Sequence, residues 1–431
     1  MVVVNVLSRT ALVDYFRQAS DISRSLDFAK QYSDSYHDMI KKVGSEIEIP
    51  RGACLCSFGS PSRYEMIGES DLDCFIVHDE TTDINQFRKV FHAKLENVGY
   101  DKLDIPVWGS LKECKTYLQH SITEGNQVLE ARFIAGDAQV WSSLLELKEK
   151  YLTLERALAT FCFQYHYFEQ YYRQRERVAS DNLKYGHGGT RDFLFPVWFN
   201  QIFSGITEIH IDKPAIINGI ERMWAKGLID RSSGYLQAAS DIAFLRNELL
   251  FQSRKTQDSG LTYLNLETAA KIAHAWPWLF EDGDAVLTRG QDARKKVWKL
   301  KEICYAAFTQ LPVVIERMNE GYSGELYSIE EVWKVNISQL SDSDLIRLVK
   351  SDSWAIQTSL ACNPTCPPNV LDQLFEKGIV PGYEYILKVV GRNKYTSKST
   401  LLRIAESNAE IRFREPAIVR LEKGWHKANE L

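Results

Sequence analysis

Apolar residues recur at spacings of three and four across residues 23–43 (Leu26, Phe28, Ala29, Tyr32, Tyr36, Met39, Ile40), a period that predicts an amphipathic helix. Two short apolar runs follow, 53–58 and 72–77, each of a length that suits a buried strand, with a Gly/Ser/Pro/Arg loop between them. A helix fits 84–98, and 103–107 reads as a third strand that carries Asp104 between two apolar neighbours. Helix, strand, loop, strand, helix, strand is the layout of a small α/β catalytic domain. Beyond about Ser110 the texture changes to long, aromatic-rich helical stretches, such as 152–177 and 235–251, without clear strands. The aromatic run Phe161, Phe163, Tyr165, Tyr167, Phe168, Tyr171, Tyr172 is assigned to helix packing rather than to base stacking.

A third texture begins near the polar Ser341-Asp342-Ser343-Asp344. The segment Asn363-Pro364-Thr365-Cys366-Pro367-Pro368-Asn369-Val370-Leu371 with Leu374 is echoed from Asn393 to Leu401 with Ile404. Short helical units that bury their faces by stacking are the physical reading. The expected fold class is therefore α+β: a catalytic domain with a mixed sheet over residues 1–110, an all-α domain over 111–320, and a helical repeat module over 321–431.

A chain of 431 residues is long enough for more than one core. With 52 Lys+Arg against 57 Asp+Glu the net charge is −5, so nothing global draws the protein onto nucleic acid or an anionic membrane. Eight cysteines without a signal peptide, and no apolar stretch of membrane-spanning length, lead to the expectation of reduced thiols and a cytoplasmic protein. Cys362 and Cys366 form the one tempting metal pair, but no second pair accompanies them, and buried structural thiols are expected instead.

The candidate chemistry lies in Gly59-Ser60-Pro61-Ser62-Arg63 and, a few residues on, Asp71-Leu72-Asp73. Residues two apart on a strand face the same way, so Asp71 and Asp73 would project together and offer hard oxygen ligands suited to Mg²⁺, with Mn²⁺ as a substitute. Gly59 has no Cβ to keep a phosphate from its backbone, Ser60 adds a hydroxyl donor, and Arg63 carries a planar fork for phosphate oxygens. A third carboxylate is expected on a neighbouring strand. Asp104 fits best, with Asp101 at the loop entry as the alternative.

The segment from Gly59 to Asp73 resembles the nucleotidyltransferase motif of the PII-protein uridylyltransferases, a branch of the polymerase-β superfamily. Val128-Leu129-Glu130-Ala131-Arg132-Phe133-Ile134-Ala135-Gly136-Asp137 is similar to that family's helix ending in Glu-x-Arg-x-x-x-Gly-Asp. The segment Asn182-Leu183-Lys184-Tyr185-Gly186-His187-Gly188-Gly189-Thr190-Arg191-Asp192 is similar to its Lys-rich Gly-Gly-x-Arg-Asp segment. The resemblance implies a polymerase-β-type catalytic domain and a triphosphate held by Gly59, Ser60, Arg63, Lys184 and Arg191. Tyr185 and His187 depart from the family pattern, and no metal-dependent HD phosphohydrolase domain is visible, since His37-Asp38 and His78-Asp79 stand as isolated pairs. The C-terminal segment resembles leucine-rich repeat variants.

The expected activity is Mg²⁺-dependent transfer of a nucleoside monophosphate from an NTP, UTP or ATP, to a hydroxyl of a protein acceptor bound through the C-terminal module, with catalytic and metal-binding carboxylates at Asp71, Asp73 and Asp104. An RNA or small-molecule acceptor, including a toxin or phage-defence role, is the second enzyme reading. A catalytically silent nucleotide-binding protein is the third.

Overall fold

A computed structural model describes residues 22–66, 73–97, 109–163, 165–166, 182–184, 186–205, 215–225, 234–253, 264–275, 281–282, 285–286, 290–318 and 337–424. The chain forms two compact units, one built from Met1–Leu118, Glu124–Leu152 and Ala179–Gln310, the other from Gln119–Thr123, Thr153–Val178 and Leu311–Leu431.

In the first unit the predicted N-terminal helix is α1, Ile22–Glu46. Its Tyr32, Tyr36, Met39, Ile40 and Val43, the residues that set the three-and-four spacing, are buried in one hydrophobic cluster with Ala53, Leu55 and Ile76 of the sheet. Strand β1 (Ala53–Ser57) is buried at every position because it lies between two neighbours. The one-turn helix α2 (Gly59–Ser62) follows, then β2 (Cys74–His78) and α3 (Asn85–Asn97), which buries Phe87, Phe91 and Leu95. Strand β3 is short, Gly109–Ser110, and leads into α4 (Leu111–His120) and α5 (Thr123–Glu130).

Strand β4 (Arg132–Gly136) is a correction to the sequence reading, which placed no strand beyond Ser110. It pairs antiparallel with β1 and completes a mixed sheet of order β3-β2-β1-β4, in which β1 and β2 are antiparallel and β2 and β3 parallel. As an edge strand it buries Ile134 but leaves its other positions half-buried or exposed, so its five residues lack the continuous apolar run that marked β1 and β2. The strand expected at 103–107 lies outside the described residues.

Helix α6 (Ala138–Tyr151) is started by Asp137, whose carboxylate accepts the Gln139 N–H at 2.9 Å and the Gly52 N–H at 3.0 Å. Helix α7 (Leu154–Cys162) belongs to the second unit, and the first resumes with α8 (Thr190–Ser204), α9 (Ala215–Ala225), α10 (Tyr235–Ser253) and α11 (Leu266–Ala275). A two-strand ribbon, β5 (Glu281–Asp282) and β6 (Ala285–Val286), precedes the long α12 (Gly290–Met318). The architecture is thus α+β, a small mixed sheet with helices followed by helical regions.

The second unit holds α7 and six C-terminal helices: α13 (Asp342–Lys350), α14 (Trp354–Cys362), α15 (Pro368–Gly378), α16 (Tyr385–Arg392), α17 (Lys398–Glu406) and α18 (Ile411–Glu422). The odd-numbered helices α13, α15 and α17 pack in one row and α14, α16 and α18 in another. Helix α14 is buried at nearly every position and packs on α7; of the aromatic run Phe161 and Phe163 are buried and Tyr165 is half-buried, while Tyr167, Phe168, Tyr171 and Tyr172 lie outside the described residues. All eight cysteines are buried and reduced, and burial raises the pKa of both Cys362 and Cys366 well above the usual thiol range. No described helix is long and apolar enough to cross a membrane.

Candidate active site

Strand β1 ends at Ser57 opposite Cys74, and the chain then turns sharply at Gly59, whose φ is +65°. A Cβ on that residue would run into the carboxylate of Asp73, so the left-handed turn and the close approach together demand glycine. The Phe58 N–H donates to the Asp73 carbonyl at 3.2 Å, which locks the turn beside the start of β2. The sequence reading put Gly59, Ser60 and Asp73 in one site; in the fold the Gly59 turn lies against the Asp73 carboxylate. Asp71 and both readings of the third carboxylate, Asp104 and Asp101, lie outside the described residues. Among the described residues no group of three His, Cys, Asp or Glu side chains is placed to share a metal ion.

The Gly59 amide, expected to face phosphate, donates instead to Glu130 Oε2 at 3.0 Å. Arg63 behaves likewise. Its Nη1 donates to the same Glu130 oxygen at 2.6 Å and its Nε to Glu65 at 3.0 Å. Burial works to lower the Arg63 pKa, but Glu130, then Glu65 and Asp73, outweigh it and hold the guanidinium firmly protonated. Glu130, at the end of α5, is 3 % exposed and also accepts the indole N–H of Trp198 from α8. Sequence reading recorded Glu130 only as part of a supporting motif, because its partners lie 67 to 71 residues away.

A basic and aromatic cluster supports the turn from beneath. Tyr64, buried and with φ of +56°, adopts a backbone conformation unusual for a non-glycine residue, and the Arg132 guanidinium lies 4.2 Å from its ring centre. His37 of α1 is hydrogen-bonded to Ser57 Oγ at 2.8 Å and packs edge-on to Tyr64. Burial, and then Arg132, lower the His37 pKa to about 4, so the ring is neutral. The Cys74 thiol beside Asp73 is pushed up to about 12 by burial and by that carboxylate, which leaves it inert.

The Gly-rich segment before α8 is a closed turn. Asn182 Oδ1 accepts the Lys184 N–H, Asn182 O accepts that of Gly186, Leu183 O that of Thr190 and Lys184 O that of Arg191. Gly188 has φ of +68° and lies so close to the Lys301 carbonyl of α12 that a Cβ would collide with it. Its N–H donates to the buried Asp192 at 2.8 Å. The amides of Lys184, Gly186, Thr190 and Arg191 are thus bonded within the turn, and the side chains of Lys184 and Arg191 are half-buried.

At the Gly59 turn the described polar groups include the Asp73 carboxylate and the Ser60 hydroxyl. Residues 10–110 match the family model described as "Putative nucleotidyltransferase DUF294". Over 184 residues the chain is 27 % identical to the bifunctional uridylyltransferase/uridylyl-removing enzyme of Haemophilus influenzae (strain 86-028NP), a match covering 40 % of this chain and 20 % of that enzyme. Over 275 residues it is 25 % identical to the enzyme of the same name from Chromobacterium violaceum (strain ATCC 12472), covering 62 % of this chain and 29 % of the relative. The chain thus spans less than a third of the length of these relatives. These matches support a uridylyltransferase-like enzyme of the nucleotidyltransferase type.

Proposed function

We propose that this chain transfers a nucleoside monophosphate from UTP or ATP to a hydroxyl group and releases pyrophosphate. The observation that carries the reading is the Gly59 turn laid against the Asp73 carboxylate, within the segment that matches a nucleotidyltransferase family. Asp73 would hold Mg²⁺ together with Asp71 and a third carboxylate at Asp104 or Asp101. Bound there, the ion would stabilise charge on the attacking and leaving oxygens of an in-line displacement. Half-buried Ser60 would donate its hydroxyl to a phosphate oxygen. Arg63, with Glu130 and Glu65 on its fork, orders the turn in this reading and does not grip phosphate. Lys184 and Arg191 would supply positive side chains to the triphosphate.

The acceptor in this reading is a protein hydroxyl, recruited by the C-terminal helices, which we read as helical repeats of the leucine-rich-variant kind. Two rows of stacked helices are an arrangement that offers surface for a partner. Incubating the protein with each α-³²P-labelled NTP, Mg²⁺ and a cell lysate tests nucleotide and acceptor together. Label from UTP or ATP should appear on a protein band. Label appearing only on RNA, or only on small molecules, would replace the protein-acceptor reading.

A further inference from the structure

We propose that helix α12 positions the Gly-rich turn for the nucleotide, and that Lys301 is the positioning residue through which it does so. The inference rests on the reading of Lys184 as a triphosphate contact. Lys301 is 3 % exposed, and its ammonium donates to the Asn182 carbonyl at 2.8 Å. Asn182 is itself buried. It receives the Gly186 N–H on the same carbonyl at 3.2 Å and the Lys184 N–H on Oδ1 at 2.9 Å. A single bond from α12 therefore bears on the residue that sets the Lys184 backbone. The Lys184 carbonyl accepts the Arg191 N–H at 3.1 Å, so the two basic residues are held side by side although they are well apart in the chain.

The same helix meets the turn twice more. The Lys301 carbonyl closes against Gly188, where a φ of +68° and the lack of room for a Cβ both call for glycine. One helical turn further on, the Tyr305 ring centre lies 4.5 Å from that of His187. From the other side the buried Asp192 takes the Gly188 N–H at 2.8 Å. The Gly-rich turn is thus clamped between α12 and the start of α8, and α8 carries Trp198, the partner of Glu130 at the Gly59 turn, about 12 Å further along its axis. Burying an ammonium group costs free energy that an apolar side chain of similar size would not, so a lysine here contributes a fixed geometry more than stability.

Equilibrium binding of α-³²P-labelled UTP and ATP to the full-length chain, with melting temperatures as the check on folding, tests this directly. Lys301→Met keeps the length and removes the donor, and should raise the Kd of the nucleotide that binds by about tenfold. Lys301→Arg, which can still donate to Asn182, should stay within about threefold of wild type. Because Lys301 acts through Lys184, adding Lys301→Met to Lys184→Met should weaken binding no further, whereas a general structural role would make the two losses add. An unchanged Kd in folded Lys301→Met, or losses that add in full, would overturn the proposal. Should Lys301→Met not fold, Tyr305→Leu, at a half-buried position of the same helix, makes the same comparison alone and with Lys184→Met. Lys184→Met by itself separates the two readings. If it binds nucleotide as wild type does, the triphosphate reading falls and this inference with it; if it binds weakly while Lys301→Met binds normally, this inference alone fails.

Discussion

At the residue scale the account turns on contacts too close for substitution. Gly59→Ala adds a methyl group that meets the Asp73 carboxylate from a left-handed backbone, so a double penalty applies. We expect nucleotidyl transfer to fall at least tenfold, with the melting temperature lowered by several degrees, measured by initial rates and by thermal unfolding. Wild-type transfer in this variant would mean that the turn is not at the reacting centre. His37 sets a pH dependence. Its pKa is about 4 in the fold against 6.5 ordinarily, so the unfolded chain takes up the proton first as pH falls. Stability is therefore fully present above about pH 6.5 and is lost progressively toward pH 4, by at most about 3 kcal/mol and less with its partial exposure. The His37→Gln variant should show a flatter melting temperature between pH 7 and 4 than wild type, and equal slopes would refute the assignment. The proximity of Gly59 and Asp73 was legible in the sequence because motif spacing on two adjacent strands determines it. The role of Glu130 was not, because it follows from contacts with Arg63 and Trp198 that only the folded chain creates.

At the element scale the same division holds. Helix α1 and strands β1 and β2 announced themselves by their apolar period, whereas β4 did not, because an edge strand with one buried side chain carries little pattern. The recurring asparagines near Asn363 and Asn393 were visible as an echo, and their physical work is now plain. Buried Asn393 donates from Nδ2 to the carbonyls of Ala361 at 2.8 Å and Asn363 at 2.9 Å, closing the end of α14, while its Oδ1 accepts the Tyr395 N–H. Arg420 of α18 does the corresponding work one step on, donating to the carbonyls of Gly391 and Asn393. Asn393→Ala leaves the buried Ala361 carbonyl without its donor, whereas the Asn363 carbonyl keeps the Cys366 N–H, and should destabilise the second unit by about 1 to 3 kcal/mol. Urea unfolding would measure it, and a loss below about 0.5 kcal/mol would contradict the capping role.

At the scale of the whole molecule, the composition of the second unit decides how its function can be tested. Its C-terminal helices do not stand apart from the middle of the chain: Arg156 of α7 lies over the Trp354 ring, Ser353 donates to Glu155, and Tyr385 bonds with Thr123 at 3.2 Å. Cutting the chain at Ser341 removes α14 from α7 and uncovers Phe161 and Phe163, so the truncated protein should aggregate; a soluble product with an unchanged melting temperature would show that these contacts contribute nothing. Surface substitutions are the cleaner probe of acceptor recruitment. Ile346 and Leu402, 43 % and 40 % exposed on α13 and α17, can be changed to Asp with little effect on the fold, and should reduce labelling of the acceptor but not nucleotide binding. Unaltered labelling in both variants would point recruitment elsewhere. The central claim, that Asp73 beside the Gly59 turn serves nucleotidyl transfer, is tested most directly by following α-³²P transfer from UTP and ATP with Mg²⁺ in wild type and Asp73→Asn, with folding checked by thermal unfolding. The account predicts that transfer falls by several orders of magnitude in a variant that melts like wild type. Transfer at the wild-type rate by folded Asp73→Asn would contradict it.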